Sequence, residues 1–97
     1  MKIDKNLNGN ELTIALEGRL DTNTSTDLEN ELQDLAGVSK LIFDLEKLEY
    51  ISSAGLRILL SCQKKMNLKG SMVIKNASSD IKEIFEITGF SDILTIE

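Results

Sequence analysis

Ile3, Lys5 and Leu7 alternate with polar residues up to Asn8-Gly9-Asn10, and Leu12, Ile14 and Leu16 alternate again beyond it. Alternation with period two is the mark of a strand with one buried face, and an Asn-Gly step takes the positive φ angles of a tight hairpin turn. Strands are therefore predicted over 2–7 and 11–17. Gly18-Arg19-Leu20-Asp21-Thr22-Asn23-Thr24 reads as a polar loop. Thr24 with Asp27 has the spacing of a capping box with Asp in place of Glu, which predicts a helix from Thr24. Leu28, Leu32, Leu35 and Ala36 then recur at helical spacing, an apolar stripe that ends near Gly37.

Leu41-Ile42-Phe43, with Asp44 and Leu45 after it, is nearly continuous in apolar character. That predicts a strand of a parallel sheet with helices over both faces. Glu46, Lys47 and Glu49 read as a solvated loop. From Leu56 the residues Ile58, Leu59, Leu60, Cys62 and Met66 spread over a broad helical arc reaching about Leu68, and Lys69-Gly70 ends it. Met72-Val73-Ile74 predicts another strand. Ser78-Ser79-Asp80 opens a third helix carrying Ile81, Ile84, Phe85 and Ile87 before Gly89, and Ile93 to Ile96 closes as a short strand. The order is ββαβαβαβ, an α/β fold with a mainly parallel mixed sheet behind an N-terminal β-hairpin. No linker, repeat or proline interrupts residues 1–97, which read as one domain.

Composition removes several function classes. The 11 basic and 16 acidic residues give a net charge of -5, and the basic ones are scattered, so the footprint of a direct nucleic-acid binder is missing. Cys62 is the only cysteine and there is no histidine, which leaves no disulfide, no zinc pattern and no imidazole base for Ser-His or Cys-His catalysis. No phosphate-binding GxxxxGK[ST] loop is present. The expectation is a non-enzymatic chain without cofactor or metal. No apolar run approaches the roughly 18 residues of a membrane span and the N-terminus lacks a signal-peptide core, so the expected location is the cytoplasm, away from membranes.

What chemistry remains gathers where strands lead into helices. In open parallel sheets, sites form outside the carboxyl ends of strands. Asp21 and Thr22 follow the second strand, and Ser52 and Ser53 follow the third, so both pairs are expected on one rim. A helix start leaves backbone N–H groups unpaired and carries partial positive charge, so a serine there serves as a cap or accepts a phosphate. Ala54 and Gly55 are small enough for close helix-to-strand packing, or for access to the backbone at this junction.

Leu41-Ile42-Phe43-Asp44-Leu45 followed by Tyr50-Ile51-Ser52-Ser53-Ala54-Gly55-Leu56, with Gly18-Arg19-Leu20-Asp21 upstream, resembles a STAS domain of the anti-sigma factor antagonist type. Lys69 to Ile74 and Ile84 to Phe90 extend the likeness over nearly the whole chain. The resemblance implies the STAS fold and a bacterial partner switch. In that switch the unphosphorylated antagonist binds an anti-sigma factor that is also a serine kinase and so frees a sigma factor; phosphorylation undoes the binding, and a PP2C-type phosphatase reverses it. It places the acceptor two residues before the motif glycine, at Ser53. Ser52, where the sporulation and stress-response antagonists usually carry aspartate, is then the cap or a second acceptor. Asp21, Thr22, Ser52, Ser53, Ala54 and Gly55 form the implied partner-facing rim. The alternative is a scaffold or transporter-associated STAS subunit, in which the rim packs permanently on another protein and Ser53 only caps.

Overall fold

The computed structural model describes residues 1–97. Its elements are β1 (Lys2–Asn8), β2 (Glu11–Leu20), α1 (Thr22–Glu31), β3 (Lys40–Ile51), α2 (Ser53–Asn67), β4 (Ser71–Lys75), α3 (Ser79–Ile87) and a 3₁₀ turn over Phe90–Asp92. The sheet order is β1-β2-β3-β4, with β1 antiparallel to β2 and the other pairs parallel. This is the α/β class the alternation predicts, with the hairpin at the Asn8-Gly9-Asn10 turn. The closing strand is smaller than expected. Ile96 makes one parallel bridge to Ile74, through Ile74 N–H to the Thr95 carbonyl at 2.8 Å and Glu97 N–H to the Ile74 carbonyl at 2.9 Å.

Every helix buries its apolar side on the same face of the sheet. Leu28 and Leu32, Leu56, Leu59 and Met66, and Ile81 and Phe85 all join Ile14, Leu16, Leu41, Phe43, Leu45 and Ile74 in one hydrophobic cluster. The expectation of helices over both faces is therefore corrected. On β3 the alternation turns only Ile42 of the Leu41-Ile42-Phe43 run outward, with Asp44 next to it on that face. Ile42 and Val73 are shielded there, at 6% and 4% exposure, yet neither belongs to the cluster. Thr13, Asp44 and Lys75 around them are only partly buried, so the outer face is a polar surface.

β3 is also longer than predicted. Glu46, Lys47 and Glu49 are exposed but lie within the strand rather than in a loop. Its pairing with β2 slips twice, between Ala15/Glu17 and between Gly18/Arg19, so β3 carries two more residues than β2 over the shared stretch. Bulges of this kind insert a residue and re-aim the side chains that follow. Beyond Leu45 the buried residues come every third position, Leu48 and Ile51, and still face the core. Gly18 sits at the second slip with φ +103°, a conformation that a β-carbon would disfavour.

The buried thiol matches its sequence reading. Cys62 lies in the core and desolvation pushes its pKa up to about 11, with Lys65 opposing only in part. No helix is long and apolar enough to cross a membrane, and no group of His, Cys, Asp and Glu is placed to hold a metal ion.

Candidate functional site

The carboxyl ends of β2 and β3 end side by side. Leu20 is paired with Ile51, and the Ser52 N–H donates to the Leu20 carbonyl at 2.8 Å, one last rung beyond the ladder. Parallel neighbours send their following helices off from the same edge, so α1 and α2 both start here and pack against each other. Asp21 and Ser52 are thus held at one rim by the backbone of two strands.

Asp21, not Thr24, caps α1. Its carboxylate accepts from Asn23 N–H at 3.0 Å and Thr24 N–H at 2.9 Å, while the Asp21 N–H donates to Thr24 Oγ1 at 2.9 Å. The capping box expected at Thr24 and Asp27 is therefore shifted: Thr24 is the returning partner three residues after the cap. Helix α1 starts at Thr22 because β2 runs on to Leu20 through the segment expected to be a loop. It ends at Glu31, short of Gly37, with Leu32 as its C-cap. The hydrogen bond from Thr24 N–H, the largest cause, and those from Thr24 Oγ1 and Asn23 N–H hold the Asp21 carboxyl below the ordinary 3.8 of an aspartate, against a smaller opposing effect of desolvation. The carboxylate is committed to its own helix.

The two serines have different positions and different partners. Ser52 is the N-cap of α2, with extended backbone (φ -92°, ψ 173°), and its Oγ accepts from the Gly55 N–H at 3.3 Å. Ser53 is the first residue of the helix, is exposed, and its hydroxyl makes no hydrogen bond within the chain. Ser52→Ala is expected to lower stability by about 1 kcal/mol, whereas Ser53→Ala leaves it within a few tenths, as urea unfolding midpoints will show.

Gly55 explains how the helix start comes so close. A β-carbon there would lie 2.7 Å from Leu20 Cγ and 3.0 Å from Ile51 Cγ1, so the absence of a side chain lets α2 rest on the last residues of both strands. Of the two readings of Ala54 and Gly55, close packing describes Gly55. Ala54 faces the other way, into a groove of about 380 Å³ between α1 and α2 that Thr22, Thr26 and Arg57 also line. Arg19 and Tyr50 are register partners just below the rim, with the guanidinium 4.3 Å from the ring centre.

The structure thus brings together Asp21, Thr22, Ser52, Ser53, Ala54 and Gly55. It adds Arg57 and the Arg19–Tyr50 pair, which reading the chain did not single out. Spacing could have indicated Arg57, four residues after Ser53 on the same helix ridge. The Arg19–Tyr50 pair was hidden by the slips in register, which cannot be counted without the structure.

The STAS domain family model matches residues 2–97. The chain belongs to the STAS domain family. Its relatives narrow the branch. BtrV of Bordetella bronchiseptica, named as an anti-sigma factor antagonist, is 35% identical over 88 residues, which cover 88% of this STAS domain and 76% of BtrV. The anti-sigma-B factor antagonist of Bacillus subtilis is 28% identical over 98 residues, 99% of this chain and 90% of that one. The fold is shared with the anti-sigma factor antagonist SpoIIAA in its unphosphorylated form, at a TM-score of 0.85 and 17% identity over 99% of this chain and 88% of that one. It is shared also with the Bacillus protein SpoIIAA in its phosphorylated form, at a TM-score of 0.78 and 17% identity, covering 99% and 91% of the two chains. This STAS domain is of the anti-sigma factor antagonist family, a regulatory rather than an enzymatic one.

Proposed function

We propose that this protein is an anti-sigma factor antagonist switched at Ser53. It binds an anti-sigma factor that is also a serine kinase, releasing a sigma factor, and that kinase phosphorylates Ser53 to end the binding; a PP2C-type phosphatase resets it. The observation that carries the reading is the division of labour at the rim. Ser52 takes the cap of α2, so the Ser53 hydroxyl is exposed and uncommitted, and its loss to modification removes no internal bond. The relatives' names supply the class of partner.

In the transfer, Ser53 Oγ forms a bond to the γ-phosphorus of ATP as the bond to the leaving ADP oxygen breaks, and the hydroxyl proton passes to a base of the kinase or to water. The helix start tolerates the product, because the unpaired N–H groups and the dipole favour negative charge there. Nothing in the fold must rearrange. Incubation with the kinase anti-sigma factor and ATP should add one phosphate, mapped by mass spectrometry to Ser53. A Ser53→Ala protein that takes up the same phosphate would refute the assignment.

A further inference from the structure

Arg57 is an exposed arginine without an anion. It lies one turn after Ser53 on the outer ridge of α2, where Ser53, Arg57 and Ser61 follow one another at four-residue spacing and are all exposed. The chain's ion pairs join Lys2 to Asp4, Lys5 to Glu31 and Lys75 to Glu97; none involves Arg57. Its guanidinium makes no hydrogen bond and borders the groove between α1 and α2, where the one carboxylate is Glu29 of α1. Glu29 is not within ion-pair distance of it.

We propose that Arg57 is the internal counter-ion of a phosphate carried by Ser53. The proposal rests on Ser53 as the acceptor and adds what the modified domain does with the charge. Residues four apart on a helix place their β-carbons within about 6 Å, and an acidic group N-terminal to a basic one is the favourable order, which Ser53 and Arg57 follow. A guanidinium offers a planar fork of donors that matches two phosphate oxygens, a pairing that lysine reproduces only as a point charge. The side chain needs only a rotamer change, since no existing bond holds it. Once paired, the phosphate is held against the first turn of α2 rather than projecting freely, so the modified rim presents a fixed, partly neutralised anion at the mouth of the groove. Thr22 and Thr26 stand across that groove.

The test installs phosphoserine at position 53 during translation, so it does not depend on any kinase, and follows the phosphate by phosphorus NMR as a function of pH. Besides Arg57, the charged groups on this side are Glu29, which borders the same groove as Arg57, and Asp21 at the head of α1 with Arg19 near it. With Arg57 present the second phosphate pKa is expected to lie about half a unit or more below its value in Arg57→Gln, with Arg57→Lys between them and Arg57→Glu highest. Coincident titration curves for the parent and Arg57→Gln, or the reverse order, would overturn the proposal. A kinase that spares Ser53 would refute the switch and leave this titration standing, so the two failures are told apart.

Discussion

A Gly70→Ala chain is expected to unfold about 10 to 20 °C below the parent, the largest loss from alanine at any of the chain's glycines. A β-carbon at Gly70 would stand 1.9 Å from the Ser39 carbonyl oxygen and 2.7 Å from its carbon. The obstacle is backbone, not a side chain that can turn aside. It is also backbone in use, since the same Ser39 carbonyl accepts from Ser71 N–H at 2.9 Å and Gly70 N–H donates to the Met66 carbonyl at 2.7 Å. Relief must come from moving the end of α2 away from the start of β3, which strains the entry to β4. The expected cost is about 3 kcal/mol, at the upper end of overpacking effects. Gly37→Ala is the matched control: its φ of +79° disfavours a side chain, but a β-carbon there meets nothing within 4 Å, so its loss should be about 1 kcal/mol. Equal midpoints for the two variants in thermal unfolding would contradict the geometry.

Ser53→Asp is expected to weaken binding to the kinase anti-sigma factor by at least tenfold, and a phosphate at the same atom by 100-fold or more. The rim is small and its hydroxyl exposed, so a partner seated on α2 covers Ser53 directly. A dianion buried in that contact and only partly neutralised by Arg57 costs several kcal/mol in desolvation and repulsion, and each 1.4 kcal/mol is about a tenfold loss of affinity. Aspartate carries about half the charge on a shorter arm, hence the smaller effect. Ser53→Ala should bind as the parent does but escape the switch, because the free hydroxyl contributes no bond to the fold. The partition between charge and shape is read by repeating the binding of Ser53→Asn beside Ser53→Asp: similar in size, they should differ in affinity.

Much of the architecture was legible because the local signals agreed with the tertiary ones. Ile14 and Leu16, or Leu41, Phe43 and Leu45, alternate because β2 and β3 each turn one face to the core, and the three helices carry one stripe each for the same reason. The signal failed where geometry changes without a change in residue type. Past Leu45 the core residues of β3 come every third position, since two bulges re-aim them, and that spacing with Glu46, Lys47 and Glu49 between reads as a loop. The polar outer face was hidden because Leu41-Ile42-Phe43 is apolar throughout, although only Ile42 turns outward, where it is shielded. Ile93 to Ile96 has the composition of a strand, but only Ile96 meets a partner.

At the site, the positions were legible and the roles less so. Ser52 and Ser53 are adjacent hydroxyls in the chain; only the extended backbone at Ser52 and the bond from Gly55 make one the cap and leave the other free. Asp21 and Thr24 each have a plausible capping spacing, and the choice falls to Asp21 because β2 continues to Leu20 and brings the turn forward. Arg57 is surrounded in sequence by Leu56, Ile58 and Leu59, so it reads as the polar remainder of a buried helix until its place on the Ser53 ridge is seen.

In the proposed switch, one phosphate on Ser53 separates a binding form from a non-binding form of the same fold. It is tested most directly by measuring, in one calorimetric series, the affinity of the anti-sigma factor for this protein before and after stoichiometric phosphorylation and again after phosphatase treatment. Tight binding, a loss of 100-fold or more, and full recovery are expected. Equal affinity of the unmodified and Ser53-phosphorylated forms would contradict it.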